Sequence, residues 1–191
     1  VLGAHEHAGF DPLFEEEILE RDETHIIKRD FSGSVVKVFS DGSSTPPHFL
    51  DFPVKDRASW EELKWRLDPG TPGRLAGWLP MIELAKVKPW PLNIVIPGLF
   101  GTHRHLLGFQ GLMISYYEQP ELLHAISKQW VRLWKGALAR IHDLHPPDLL
   151  SLWEDMCGKN GPLISPRMFT EFMSPYYREL VSFAKNELKL P

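Results

Sequence analysis

A chain of 191 residues with 43% hydrophobic and 12% aromatic content, seven tryptophans among them, is large enough to bury a core of ordinary domain size and is too apolar for a disordered segment. A net charge of −4 and a pI near 6.1 leave no basic footprint for nucleic acid, and no apolar run approaches the roughly 20 residues of a membrane span. The single cysteine excludes an internal disulfide framework and a cysteine-rich zinc module; with no signal-peptide pattern, the expected compartment is the cytoplasm, and Val1 in place of Met suggests a processed or incomplete chain.

Residues 1–11 show no periodicity and read as a lead-in loop. His5 and His7 make an HxH pair, but no third ligand stands at a compatible spacing. Residues 12–21 (PLFEEEILER) combine Asp11 as N-cap, Pro12 at the first helical position and three acids in the first turns, which predicts a helix. The pattern then changes to β-branched residues broken by a glycine turn, so residues 24–39 read as a hairpin, with a second turn at DGSS. Pro46 and Pro47 before HFLDFPV indicate an extended edge segment, because proline cannot donate to a central ladder.

Residues 56–67 (DRASWEELKWRL) read as a surface helix, its acids set ahead of its bases, with Trp60 and Trp65 taken as core rather than as a binding platform. DPGTPG stops it. Residues 74–87 read as a moderately apolar helix interrupted by Gly77 and Pro80. PWPLNIVIP is a buried strand ending at Gly98, which places His103, Arg104 and His105 in a strand-to-helix loop. Residues 121–142 form a long amphipathic helix with Leu122, Ile126, Trp130, Leu133, Ala137 and Ile141 on one face.

The chain is organised around residues 148–180, DLLSLWEDMCGKNGPLISPRMFTEFMSPYYREL. An apolar run over 149–153 reads as a strand buried on both faces of a parallel sheet, a polar loop follows over 157–161, and Ser165 with Pro166 starts a helix. Glu154 and Asp155 therefore stand at a strand's carboxyl end, where α/β sheets and barrels carry reactive groups. Neighbours on a strand point to opposite faces, so the two acids cannot both project inward while the strand stays regular. Asp155, on the face of Trp153, is then the interior candidate; if the strand has already ended, either acid can turn inward. Such a carboxylate could bind pyrrole or amine NH groups, act as a general base or orient a metal ligand; the plain alternative is a salt bridge to Lys159 or Arg104. Likewise Arg104 could cap a carboxylate, with each histidine a satisfied polar residue. Cys157 reads as a small apolar residue rather than a ligand or nucleophile.

The segment EDMCGKNGPLISPRMFTEFMSPYYREL resembles the fourth-strand region of the uroporphyrinogen decarboxylase superfamily in its methyltransferase-like branch, where an acidic pair, a G-P-[LM]-I-S-P loop and an F-x-x-F-x-x-P-x-Y helix recur. DFPVKDRASWEELKWRLDP and PLNIVIPGLFGTHRHLLGFQGLMISYYEQPELLHAI extend the resemblance over most of the chain after about Phe10. The resemblance implies an α/β chain of the (β/α)8 TIM-barrel class, here an incomplete barrel segment over 71–191, preceded over 1–70 by a helix, a β-hairpin decoration and a covering segment. It implies a catalytic role for Asp155 and Glu154, and substrate contacts in the loops that carry His103, Arg104, His105 and Lys159. Its branch moves a methyl group between a corrinoid and a small acceptor, with a corrinoid protein as partner and zinc held by a His-x-Cys pair and a later Cys, ligands this chain lacks. The alternatives are a cofactor-free uroporphyrinogen decarboxylase acting on a tetrapyrrole, whose Arg-rich N-terminal motif has no counterpart here, and a non-catalytic piece that self-associates as a homo-oligomer.

Overall fold

A computed structural model describes residues 9–43 and 45–190, so His5 and His7 lie outside the described residues. The chain is mixed α/β. Four antiparallel strands come first, β1 (Glu17–Arg21), β2 (His25–Arg29), β3 (Val35–Phe39) and β4 (His48–Asp51), ordered β1-β2-β3-β4. The hairpin between β2 and β3 follows from its turn chemistry: Asp30 Oδ1 accepts the backbone N–H of Ser32 and Ser34, and Gly33 takes φ +81°, a conformation that glycine adopts without a Cβ penalty. β4 lies at the edge of the sheet, where its preceding prolines require it.

Residues 12–21 are not a helix. Residues 17–21 form β1, and the N-terminal helix is replaced by an edge strand. The acids that suggested a helical first turn instead face bases across the ladder, Glu17 with Arg29 at 2.6 Å and Glu16 with Lys28 at 2.5 Å. Upstream, the Arg66 guanidinium donates to the carbonyls of Pro12 and Leu13 and lies 4.0 Å over the Phe14 ring, holding that segment extended. Tertiary hydrogen bonds here override a local propensity worth a few tenths of a kcal/mol per residue.

Helix α1 (Arg57–Leu63) opens on a reciprocal cap between Asp56 and Ser59 and runs into a 3₁₀ turn, Lys64–Leu67. Its two tryptophans part company: Trp60 is 1% exposed and in the core, whereas Trp65 is 54% exposed and stacks on Arg66. Helix α2 (Leu79–Val87) is shorter than expected, because residues 74–78 form turns and Pro80 starts the helix instead of interrupting it. Strand β5 (Asn93–Pro97) is followed by α3 (Leu99–Glu118), α4 (Pro120–Leu144) and β6 (Leu149–Trp153). β5 and β6 pair in parallel, Asn93 beside Leu149 through Pro97 beside Trp153. Among the described residues the parallel sheet has these two strands. β6 is accordingly half-buried and not covered on both faces: Leu149 is 52% and Trp153 66% exposed, while the centre of β5 is buried.

The expected loop over 157–161 is a tight hairpin, β7 (Cys157–Gly158) against β8 (Gly161–Pro162), and Ser165 caps α5 (Pro166–Phe172), after which α6 (Ser174–Asn186) follows a break at Met173. The six apolar positions expected along α4 are all buried. One hydrophobic cluster joins Phe10, Val54 and Trp60 to Ile94, Ile96, Trp130 and Leu180, so residues from both sides of position 70 share a core. No helix among the described residues is long and apolar enough to cross a membrane.

Candidate functional site

The carboxyl ends of β5 and β6 lie side by side because the two strands pair in register. At the end of β5 the chain passes through Gly98 directly into α3, with no intervening loop. His103, Arg104 and His105 therefore stand on the second turn of α3, not in a strand-to-helix loop, and the helical period distributes them around its circumference. His103 is fully buried between α3 and α4, with Nε2 3.1 Å from Ser127 Oγ, and it belongs to the core. His105 is exposed on another face. Arg104 reaches back over the strand ends and meets Asp155 at 3.1 Å.

The inward acid is Glu154 and not Asp155. β6 ends at Trp153, the two-residue alternation ends with it, and the backbone turns Glu154 toward the start of α3. Glu154 Oε1 accepts the Phe100 N–H at 3.2 Å and the hydroxyl of Tyr177, and that hydroxyl in turn accepts the Leu99 N–H at 2.7 Å. The first turn of α3 thus has two of its free donors satisfied by side chains from the residue after β6 and from α6. A carboxyl also suits the positive end of a helix. Gly98 makes the approach possible, since a Cβ there would lie 2.6 Å from Glu154 Cγ. Asp155 is exposed, paired with Arg104, and Lys159 is exposed in the β7–β8 turn.

Burial pushes the Glu154 carboxyl above its ordinary value, against the lowering effect of the Tyr177 hydroxyl and the α3 backbone donors. Burial, the neighbouring carboxylate and the bond to it push the Tyr177 phenol far up, so it remains a donor. Chemically, this is a carboxyl that burial biases toward its protonated form, with one oxygen fixed by two donors, beside an Arg104–Asp155 pair able to exchange partners. Tyr177 was not a candidate from the sequence, although it is the final residue of the F-x-x-F-x-x-P-x-Y pattern whose acidic pair supplies Glu154. The joint presence of both in one motif was the available signal. No group of three His, Cys, Asp or Glu side chains among the described residues is arranged to hold a metal, and Cys157 is exposed.

A separate concavity of about 400 Å³ lies between the antiparallel sheet and α1, lined in part by Arg29, Lys55, Trp65 and Arg66. Its cations are already engaged, Arg29 with Glu17, Lys55 with Asp51 and Arg66 with two carbonyls.

Buried His103 has its pKa pushed down from 6.5 to about 3, chiefly by burial and secondarily by His124. A folded-state value below the unfolded one gives stability that is complete above pH 6.5 and is lost as the pH falls toward 3, at up to about 1.4 kcal/mol per pH unit. Glu154 has the opposite sign: its raised value contributes stability present below 4.5 and lost as the pH rises through the folded value. Urea titrations between pH 6.5 and 4.5 are expected to show stability falling with acidification, a steeper fall in Glu154→Gln, and a flat or inverted trend in His103→Leu. An unchanged slope in His103→Leu would contradict the assignment.

Compared with models of known protein families and with curated proteins, the sequence matches none.

Proposed function

We propose that this chain is a uroporphyrinogen decarboxylase-like (β/α)8 barrel protein of the corrinoid-dependent methyltransferase-like branch, with its ligand contacts at the carboxyl ends of β5 and β6. The observation that carries the reading is the meeting of Glu154, Tyr177, Arg104 and Asp155 at adjacent parallel strand ends, from segments that the sequence resemblance had already joined. Sites in α/β sheets occupy that end of the strands.

In this reading a bound corrinoid supplies the methyl group. The chain's own residues then have separate tasks. Arg104 and Asp155, at 32% and 58% side-chain exposure, exchange their mutual bond for the polar side groups of the ligand. Glu154 holds or releases a proton deeper in the site, and Tyr177 fixes the orientation of its carboxyl. Zinc does not fit the described residues, since the single thiol is exposed and no three-ligand group is found among them, and no step is assigned to it.

Titration of the purified chain with hydroxocobalamin and, separately, with coproporphyrin, followed through their visible bands, tests the proposal. Corrinoid uptake that is weakened about tenfold or more by Arg104→Ala supports it. Porphyrin uptake without corrinoid uptake favours the decarboxylase alternative, and uptake of neither removes the site. Elemental analysis of the same preparation is expected to give no stoichiometric zinc; one tightly held zinc per chain would overturn the assignment of Cys157 and the histidines.

A further inference from the structure

The concavity between the antiparallel sheet and α1 takes no part in the strand-end site, and its volume of about 400 Å³ is in the range of small-molecule pockets. Its cations are engaged in different ways. Glu17 neutralises Arg29 and Asp51 neutralises Lys55, whereas Arg66 donates to the uncharged carbonyls of Pro12 and Leu13, at 2.8 and 3.0 Å. The charge of Arg66 thus has no carboxylate partner among the described residues. Both of its bonds leave from Nη1, so the Nε–Nη2 edge of the guanidinium, which can grip two oxygens of one anion, is left open.

We propose that this concavity binds an aromatic carboxylate, with its two oxygens on the open edge of Arg66 and its ring against the apolar wall supplied by Phe14, Phe52 and Trp65. The site is separate from the carboxyl ends of β5 and β6.

The guanidinium is held in place before a ligand arrives. Its Cζ lies 4.0 Å from the centroid of the Phe14 ring and 4.7 Å from that of Trp65, so two rings and two carbonyls fix one side chain. Phe14 is pinned in turn, its N–H donating to the Phe31 carbonyl at 3.0 Å and its ring so near Gly33 that a Cβ there would lie 2.8 Å away. An anion binding to such a group loses little to ordering of the protein. The planar fork of arginine matches a carboxylate, and Trp65, left 54% exposed at the cavity, offers a ring face to a planar ligand. Asp51 and Glu62 also line the cavity and oppose a second negative charge, which selects a single carboxylate over a polyanion. Glu62 is exposed and has no ion pair among the described residues, so a ligand ammonium would have to immobilise it at an entropic cost.

The test measures uptake of 2-naphthoate by the purified chain in equilibrium dialysis at pH 7. Saturable binding is expected, and 2-naphthalenemethanol, the same ring without the charge, should bind at least about tenfold more weakly. Arg66→Lys keeps the charge and loses the fork, so it should weaken naphthoate binding by about tenfold. Trp65→Leu should weaken it by about three- to tenfold, the worth of an aromatic pair. Because Trp65 is exposed, the thermal midpoint of that variant should hardly move, and it tests the site even if Arg66→Lys loosens the segment held at Pro12 and Leu13. Trp90→Leu alters an exposed tryptophan that does not line the cavity and should bind as the wild type does. Glu62→Gln should bind as tightly or more tightly. Absence of saturable binding, equal uptake of the alcohol, unchanged affinity in Trp65→Leu or in a folded Arg66→Lys, or an equal loss in Trp90→Leu would overturn the site. Weaker binding in Glu62→Gln would overturn the ligand class in favour of one that carries an ammonium.

Discussion

Trp130→Ala is expected to destabilise the chain by about 3–5 kcal/mol, the range for truncating a large buried aromatic side chain. Trp130 is among the largest fully buried side chains and stands on α4, beneath the carboxyl end of β5. Its indole N–H donates to the Pro97 carbonyl at 3.0 Å, and its ring lies edge-on to Tyr177 at 5.6 Å. Truncation opens a cavity, leaves that carbonyl unpaired and removes a wall from Tyr177, whose hydroxyl orients Glu154. Trp130→Phe retains most of the packing and loses the N–H, so a cost of about 1–2 kcal/mol is expected for it. Urea midpoints for the three proteins check this; a loss below about 1.5 kcal/mol for the alanine variant would show that the strand end is not packed on α4 as described.

The second large effect is expected at Gly98. Its φ of −70° and ψ of 167° are open to any residue, so alanine there brings no backbone strain. The obstacle is Glu154, whose Cγ would lie 2.6 Å from the new methyl group and whose carboxyl would lie closer still. Gly98→Ala must displace that side chain, which leaves the Phe100 N–H and the Tyr177 hydroxyl without their acceptor, at a cost of about 2–4 kcal/mol. A double-mutant cycle isolates the cause. In a Glu154→Ala background the added Gly98→Ala should cost less than about 0.5 kcal/mol, because the three atoms nearest the new methyl group all belong to the Glu154 side chain. If the full penalty persists there, the close approach of Gly98 and Glu154 is not its origin.

Local signals in the sequence are sufficient for the elements they govern alone. The β2–β3 hairpin follows from Asp30 and Gly33, α4 from its apolar stripe, and the start of α5 from Ser165 and Pro166. Residues 12–21 misled because their acids suit a helix start equally well, and only Lys28, Arg29 and Arg66, distant in sequence, decide for extended backbone. The site was partly legible. Arg104 and Asp155 do meet, at 3.1 Å. Between Glu154 and Asp155 the sequence left the choice open, since it depended on whether the strand ran past Trp153; β6 ends there, and Glu154 is the acid that turns inward. His103 was placed at the site rather than in the core, although Leu99, His103 and Leu106 at spacings of four and three already describe one buried helical face.

The parallel pairing of β5 with β6 also governs how the chain reaches its folded state. Leu92 and Asp148, bonded at the foot of the pair, are 56 positions apart, and the whole α3–α4 segment lies between them. Helices form within about a microsecond, while closing so long a loop costs chain entropy before any strand contact repays it. α4, with its continuous buried stripe, is suited to form early, and β6 to dock late onto a surface already made. Substitutions along the α4 stripe should then slow refolding, whereas those in β6 should chiefly hasten unfolding.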